Sequence, residues 1–294
     1  MSDVFDAVDS PWLAPTDGSF QLADFATVHD SGASKSKLKD RLGDEVDRIA
    51  ELQEQLYADN RFSLLLVFQA MDAAGKDSTI QKVLSGVNPA GCQVTSFKRP
   101  SSKELEHDFL WRTTVALPER GRIGVFNRSH YEEVLVVRVH PGILKSQNLP
   151  DPTPSASLWR QRLDAIAAQE RHLANNGTVI LKFFLNVSED EQRERFIDRL
   201  EEPDKRWKFS AGDLAERAHW PKYMAAYEEA IRATSKPWAP WYVIPADDKP
   251  TMRWLVAAIV AERLSALPLQ WPQPDADDAR DFETHLATLK AQRP

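Results

Sequence analysis

The sequence has little of what staples a chain or anchors it in a membrane. Cys92 is the only cysteine among 294 residues, which excludes an internal disulfide and any cysteine-rich metal site and fits a reducing compartment. No apolar run approaches the ~20 residues that cross a bilayer. The opening stretch, MSDVFDAVDSPW, is acidic and carries neither the basic nor the apolar block of a secretory leader. The cytoplasm is therefore the expected location. None of the seven histidines stands at His-Glu-x-x-His spacing, so a zinc site is not expected. No segment repeats. What is present is ordinary for a globular chain: 42% hydrophobic and 28% charged residues, with length for one large α/β domain or two small ones.

Lys and Arg number 37 against 44 Asp and Glu, a formal charge of −7, but the charge is uneven. Residues 1–60 hold 13 acids and 5 bases, whereas residues 61–150 hold 12 bases and 8 acids. An acidic total thus leaves room for an anionic ligand, because the lining of a cleft sets its local field. A solvated mixture of charges is the other reading of the basic segment.

Residues 1–33 contain Pro11, Pro15, Gly18 and Gly32 without sustained periodicity and read as an extended arm. From Ser34 to Asn60, Leu38, Leu42, Val46, Ile49, Leu52 and Leu56 recur at helical spacing. Phe62–Phe68 is nearly all apolar, the pattern of a strand buried on both faces of a parallel sheet. A helix through Leu84 follows, then strand-like 92–97, helical 102–117, a strand at 122–126 and helical 129–139. After a proline-rich connector, Pro141 to Pro154, come a helix at 158–173, a strand at 179–185 and a helix at 189–200. A charged aromatic stretch (204–220), a helix (221–233), a short strand (241–244) and a last helix (250–265) complete the pattern. This alternation predicts a three-layer α/β/α sandwich with a mainly parallel sheet. The tail from Pro268 reads as surface-bound or loose. Trp111, Trp159, Trp238, Trp241 and Trp254 are expected in the core.

Two strand ends carry chemistry. Ala70-Met71-Asp72-Ala73-Ala74-Gly75-Lys76-Asp77 lies between a buried strand and a helix. Small residues at Ala73, Ala74 and Gly75 let backbone N–H groups converge on an anion, and Lys76 adds a point charge, as in phosphate-binding loops. The match is imperfect: Ala70 replaces the first glycine and Asp77 replaces the Ser or Thr that usually meets magnesium. Carboxylates at Asp72 and Asp77 are out of place in an anion loop unless a divalent cation joins them, and magnesium suits that donor set. Asp77 has first-turn capping as its plainer alternative; Asp72 does not. At the second end, Asn127-Arg128-Ser129-His130-Tyr131-Glu132-Glu133 puts a planar guanidinium where α/β sheets collect ligands. An Arg128–Glu132 ion pair on a capped helix is the plainer alternative.

Taken together, several runs resemble polyphosphate kinase family 2: Met71–Asp77, Val87-Asn88-Pro89-Ala90-Gly91, His107-Asp108-Phe109-Leu110-Trp111-Arg112, Phe126–Leu135, and Lys205–Ser210 followed by Asp213-Leu214. The similarity spans roughly residues 35–265. It implies a P-loop kinase fold, a mobile helical lid over about 203–222, magnesium, a homodimer or homotetramer, and phosphoryl transfer between inorganic polyphosphate and adenine or guanine nucleotides. The catalytic domain then covers 34–267, with a tail at 268–294. By position, Asp72, Lys76 and Asp77 are the loop residues, with Asp72 and Asp77 toward the metal, and Arg128 is the phosphate clamp. Asn127, His130 and Glu132 resemble the subgroup that accepts both mono- and diphosphates, and Arg138 is a further polyphosphate contact. Ser78, where many relatives carry Gly, departs from the pattern.

The stretch 204–222 interleaves Lys205, Arg206, Lys208, Arg217 and Lys222 with Trp207, Phe209, His219 and Trp220. As a lid it would close Arg199, Lys205 and Lys208 over a polyanion and exclude water; a solvated connecting loop is the alternative. The cluster is short and the chain acidic, so no nucleic acid is expected as a partner. Two rival readings remain: an ATP-dependent nucleoside monophosphate kinase, which shares fold and lid but whose usual Gly-x-x-x-x-Gly-Lys-Ser/Thr loop is not matched here, and a non-catalytic phosphate- or nucleotide-sensing module, against which the paired Asp72 and Asp77 argue.

Overall fold

Five parallel strands, β1 (Ser63–Gln69), β2 (Cys92–Ser96), β3 (Ile123–Asn127), β4 (Thr178–Asn186) and β5 (Trp241–Pro245), form one sheet in the order β2-β3-β1-β4-β5. The computed structural model describes residues 5–292, with the side chains of residues 208, 211 and 276–280 outside that description. Residues 1–4 of the arm and 293–294 of the tail also lie outside it. Every residue of β1 is buried, as a central strand covered on both faces requires.

Two groups of helices flank the sheet. One contains α1 (Lys35–Asp59), α2 (Lys76–Val83) and α10 (Lys249–Ser265); α10 packs on both α1 and α2. The other contains α5 (Val136–Val139), α6 (Ala156–Asn175) and α9 (Trp220–Thr234), with α9 packed on α5 and α6. The three-layer α/β/α expectation therefore holds. In α1 the buried positions Leu38, Val46, Ile49 and Leu56 are those of the sequence periodicity, and Ser34 caps the first turn by accepting from Lys37 N–H. Asn60 ends α1 in the left-handed region at φ 55°.

Local hydrogen bonding cuts two expected helices short. The stretch 102–117 forms two single turns, α3 (Ser102–Leu105) and α4 (Trp111–Thr114). A capping box between Ser101 and Glu104 sets the first turn, and the Asp108 carboxylate accepts Leu110 N–H at 2.9 Å, competing with a continuous helix. The stretch 129–139 becomes a 3-10 turn, His130–Glu133, followed by α5. Arg128, at φ 63°, precedes it, and the Ser129 hydroxyl accepts both Tyr131 N–H and the buried Gln69 amide. After α7 (Glu189–Glu201), a 3-10 turn (Pro203–Lys208) leads to α8 (Ala211–Arg217) and then α9.

Both flanking segments contact or extend the helical architecture. The arm runs along the β5 edge: Val243 N–H donates to Trp12 O at 2.8 Å, Ala14 N–H to Trp241 O at 2.9 Å, and Ala14 and Phe20 are buried. The tail holds a helix, α11 (Ala276–Ala291), on which Phe282, Leu286 and Leu289 share helical spacing but stay exposed. Among the expected core tryptophans, Trp159 and Trp241 are buried, while Trp111, Trp238 and Trp254 are half-buried. No helix among the described residues is long and apolar enough to cross a membrane.

The otherwise apolar β4 contains Lys182, which is fully buried. Its three donors are all met: Glu170 Oε2 at 2.5 Å, Thr234 O at 2.8 Å and the Tyr131 hydroxyl at 3.0 Å, while Tyr131 donates to Glu170 Oε1 at 2.8 Å. Burial pulls the ammonium down to about 8 against the attraction of Glu170. This network joins β4, α6, α9 and the turn that follows β3. Lys182→Met strands Glu170 without its counter-charge and is expected to destabilise the fold by about 3–5 kcal/mol. Urea denaturation checks this; a wild-type midpoint would show the pair to be dispensable.

Candidate active site

The β1–α2 loop departs from a central strand and must turn at once into a helix. It does so with Ala73 at φ 62° and Gly75 at φ 110°. The left-handed region costs a non-glycine residue about 1–2 kcal/mol, so Ala73 needs outside support. Helix α7 supplies it. The buried Arg195 donates to Ala73 O (3.2 Å) and Ala74 O (2.7 Å), and also to Ala246 O (2.6 Å) and Asp247 O (3.0 Å). Gln192, also buried, donates to Asp72 O at 2.8 Å. In a trans peptide the C=O and N–H point in opposite directions. Three carbonyls held against α7 therefore turn the N–H groups of Ala73 and Gly75 to the other side, while Ala74 N–H closes a turn on Met71 O.

On that other side the two predicted strand ends meet. In the β1–β3 ladder Phe68 stands beside Asn127, and Arg128 N–H donates to Phe68 O at 3.0 Å. The Arg128 guanidinium reaches Asp72 Oδ1 at 2.7 Å and Glu132 Oε2 at 3.5 Å. Asn127 Nδ2 donates to Asp77 Oδ1 at 2.5 Å. Lys76 is half-buried and folds back to donate to Ala70 O (2.6 Å) and Met71 O (3.2 Å). Asp72, Ala73, Ala74, Gly75, Lys76, Asp77, Asn127, Arg128 and Glu132 thus form one cluster.

Its electrostatics are those of crowded opposite charges. Burial and the neighbouring Arg128 hold the Lys76 ammonium down at about 8, with Asp72, Glu132 and Asp77 opposing. Burial pushes the Glu132 carboxyl up against the pull of Arg128 and Lys76. For Arg128, burial is outweighed by Glu132 and Asp72, which raise it above its ordinary range. Asp213, on α8, is raised by burial and by Asp72, and pairs with Arg199 at 3.6 Å. Tyr223 and Tyr227 of α9 are raised by burial and feel Glu132 and Asp72.

Three predicted contacts sit apart from this cluster or at its rim. Arg138 is bound to Glu229 of α9 at 2.5 Å, with its guanidinium over Trp159. Lys205 is exposed and paired with Glu202 at 2.6 Å. Arg199 pairs with Asp213 at the rim of the site. The Lys208 side chain lies outside the described residues. His130 is also turned away: its ring is buried 3.8 Å from Glu170, in the Lys182 network.

The family model for polyphosphate kinase 2 matches residues 32–270. The chain belongs to the polyphosphate kinase 2 family. It is 56% identical over 241 residues to the "ADP-polyphosphate phosphotransferase" of Rhodopseudomonas palustris, covering 82% of this chain and 83% of that one. To the "AMP/ADP-polyphosphate phosphotransferase" of Meiothermus ruber it is 47% identical over 261 residues, 88% of this chain and 94% of the relative. The solved polyphosphate kinase 2 of Arthrobacter aurescens shares the fold at a TM-score of 0.84 and 39% identity, over 96% of this chain and 99% of that one.

Within this polyphosphate kinase 2 fold, motif reading missed Gln192 and Arg195, which hold the loop from behind, and Tyr223 and Tyr227 of α9 beside the cluster, and it gave Asp213, though part of a quoted motif, no role. For two of them a signal existed. Gln192, Arg195, Phe196 and Arg199 recur at the spacing of one helix face, and polar side chains on a stripe meant for the core require partners. No group of three or more metal-ligating side chains occurs among the described residues. Asp72 and Asp77 each give one oxygen to a protein donor and keep the other, in a cluster with three carboxylates against two cations. That donor set fits a magnesium ion, which takes one or two carboxylates and completes its shell with water and phosphate oxygens.

Lys76 generates a pH test. Binding of inorganic triphosphate, followed by calorimetry, is expected to weaken about tenfold one unit above the Lys76 pKa of about 8, where the ammonium has lost its proton. Lys76→Arg should flatten that alkaline limb; an unchanged limb would place the titrating group elsewhere.

Proposed function

We propose that the chain transfers the terminal phosphoryl group between inorganic polyphosphate and a nucleoside mono- or diphosphate, forming ADP from AMP and ATP from ADP. The observation that carries this is the Arg128–Asp72 pair beside Lys76, at the mouth of a loop whose carbonyls at residues 72–74 are held toward α7. The name of the Rhodopseudomonas palustris relative supports ADP and polyphosphate, and that of the Meiothermus ruber relative supports AMP as well.

Phosphoryl transfer between two polyanions is chiefly a problem of charge and alignment. The acceptor phosphate is already ionised at neutral pH, so the site needs no strong base. Arg128 offers a planar fork to the transferring group, with donors beyond those held by Asp72 and Glu132. Lys76 lies close enough to exchange a loop carbonyl for a phosphate oxygen. Asp72 orients Arg128 and, with Asp77, would hold magnesium, which when bound neutralises phosphate charge and draws donor and acceptor together. Asn127 brings no negative charge of its own to the Asp77 side. That suits a site admitting both mono- and diphosphates, a preference that rests on Asn127 and Glu132 because His130 is buried elsewhere. Helix α8 with the flanking turns acts as the lid, carrying Asp213 toward Arg128 and keeping water from the donor. The half-buried single cysteine, its thiol pushed up to about 11 by burial, takes no part in this chemistry and suits a reducing cytoplasm.

The assay is purified protein, magnesium, long-chain polyphosphate and AMP or ADP, read by nucleotide chromatography. ATP formed from ADP only when polyphosphate is present, without an equal yield of AMP, is the expected result; a nucleoside monophosphate kinase would instead make ATP and AMP in equal amounts from ADP alone. Asp72→Asn and Lys76→Ala are each expected to lower kcat by ~10²-fold or more with little change in melting temperature. Retained turnover in both variants would overturn the assignment.

A further inference from the structure

We propose that Gln192 is a positioning residue that ties the placement of α8 to the alignment of Asp72. The inference rests on the phosphotransfer and lid readings above, and one arm of its test is independent of them.

The side-chain amide of Gln192 is 1% exposed and lies between two elements that do not otherwise share a hydrogen bond among the described residues. Its Nε2 donates to Asp72 O at 2.8 Å. Its Oε1 accepts from Arg217 Nη1 at 3.0 Å. The amide orientation is unambiguous, because a carbonyl can only accept and a guanidinium can only donate. Arg217 is the last residue of α8, and it also donates to Glu189 O at 2.6 Å and meets the Glu189 carboxylate at 3.4 Å. One residue before it, Glu216 accepts from Tyr223 OH at 2.5 Å and lies 2.8 Å from His140 Nε2. Helix α8 is thus latched to α7 through Arg217, and the same buried amide reaches the peptide that precedes Ala73.

That peptide matters because Ala73 already occupies an unfavourable backbone region and Asp72 holds the Arg128 guanidinium at 2.7 Å. If α8 swings out, Arg217 leaves and the Gln192 oxygen loses its donor in a dry position. The amide must then rotate or seek a new partner, and its hold on Asp72 O weakens. With α8 in place both ends of the amide are satisfied, and the loop is set in the geometry that aligns Asp72 with Arg128. Arg195 holds the loop on its own, through Ala73 O and Ala74 O. Gln192 is the part of the brace that senses α8. No isosteric replacement does both jobs: Glu keeps the acceptor for Arg217 but has no donor for Asp72 O, and Leu has neither.

The test compares wild type, Gln192→Leu, Gln192→Glu, Arg217→Gln and the double variant Gln192→Leu/Arg217→Gln, in ATP formation from ADP and polyphosphate. Gln192→Leu and Gln192→Glu are expected to lose about 10- to 100-fold in kcat while KM for ADP stays within a few-fold, the signature of misalignment rather than lost binding. Arg217→Gln should lose kcat in the wild-type background and lose clearly less on top of Gln192→Leu, the remainder coming from its contacts with Glu189. Wild-type kcat in Gln192→Leu, or fully additive losses, would overturn the inference. A second arm needs no turnover and no substitution at the buried position. In hydrogen–deuterium exchange, Arg217→Gln should speed exchange across residues 70–77, and unchanged protection there would overturn the link. Absence of ATP formation by wild type would count against the phosphotransfer reading alone, leaving the exchange result to decide the role of Gln192.

Discussion

Everything at the site depends on two neighbouring strands ending level with each other. Parallel pairing puts Phe68 beside Asn127, and Arg128 N–H extends the ladder by one further bond to Phe68 O. From that level the chain leaves β1 as the Lys76 loop and leaves β3 as the Arg128 turn. The sheet order sends the first toward β2 and the second across to β4, which opens a crevice between them. A slip of one residue would reverse the face of every β3 side chain and carry Asn127 away from Asp77.

The crevice then has to hold more negative charge than its own cations cancel. Asp72, Asp77 and Glu132 face Lys76 and Arg128, with Asp213 added from α8. For a site that takes polyanions this balance looks reversed until a divalent cation is counted. The buried Lys182–Glu170–Tyr131 network serves a different purpose. It anchors the His130–Glu133 turn from beneath, so Arg128 and Glu132 project from a segment tied to both β4 and α9.

Much of this could be read from the linear pattern. The parallel sheet followed from short apolar runs alternating with helical periodicity, and the β1–α2 loop from small residues beside Gly75-Lys76. Where the pattern misled, short-range polar side chains were the cause. Asp108 and Ser129 each accept a nearby backbone N–H that a longer helix would have needed. The missed site residues fail for another reason. Gln192 and Arg195 belong to no local motif, and their role exists only because α7 lies against a loop about 120 positions earlier in the chain. Arg138 shows the converse, since a cation in a suggestive position is held at 2.5 Å by Glu229.

By itself the amino-acid order determined the five strands, most of the long helices and which residue types stand at two strand ends, because these follow from periodicity and backbone preference within a few residues. It also carried the family resemblance in its ordered motifs. Only the tertiary structure decided that β3 lies next to β1, that Asp72 and Arg128 therefore touch, that His130 faces the core, and that α7 braces the loop from behind. Those facts arise from the pairing of distant segments, and no local preference encodes which strand becomes whose neighbour.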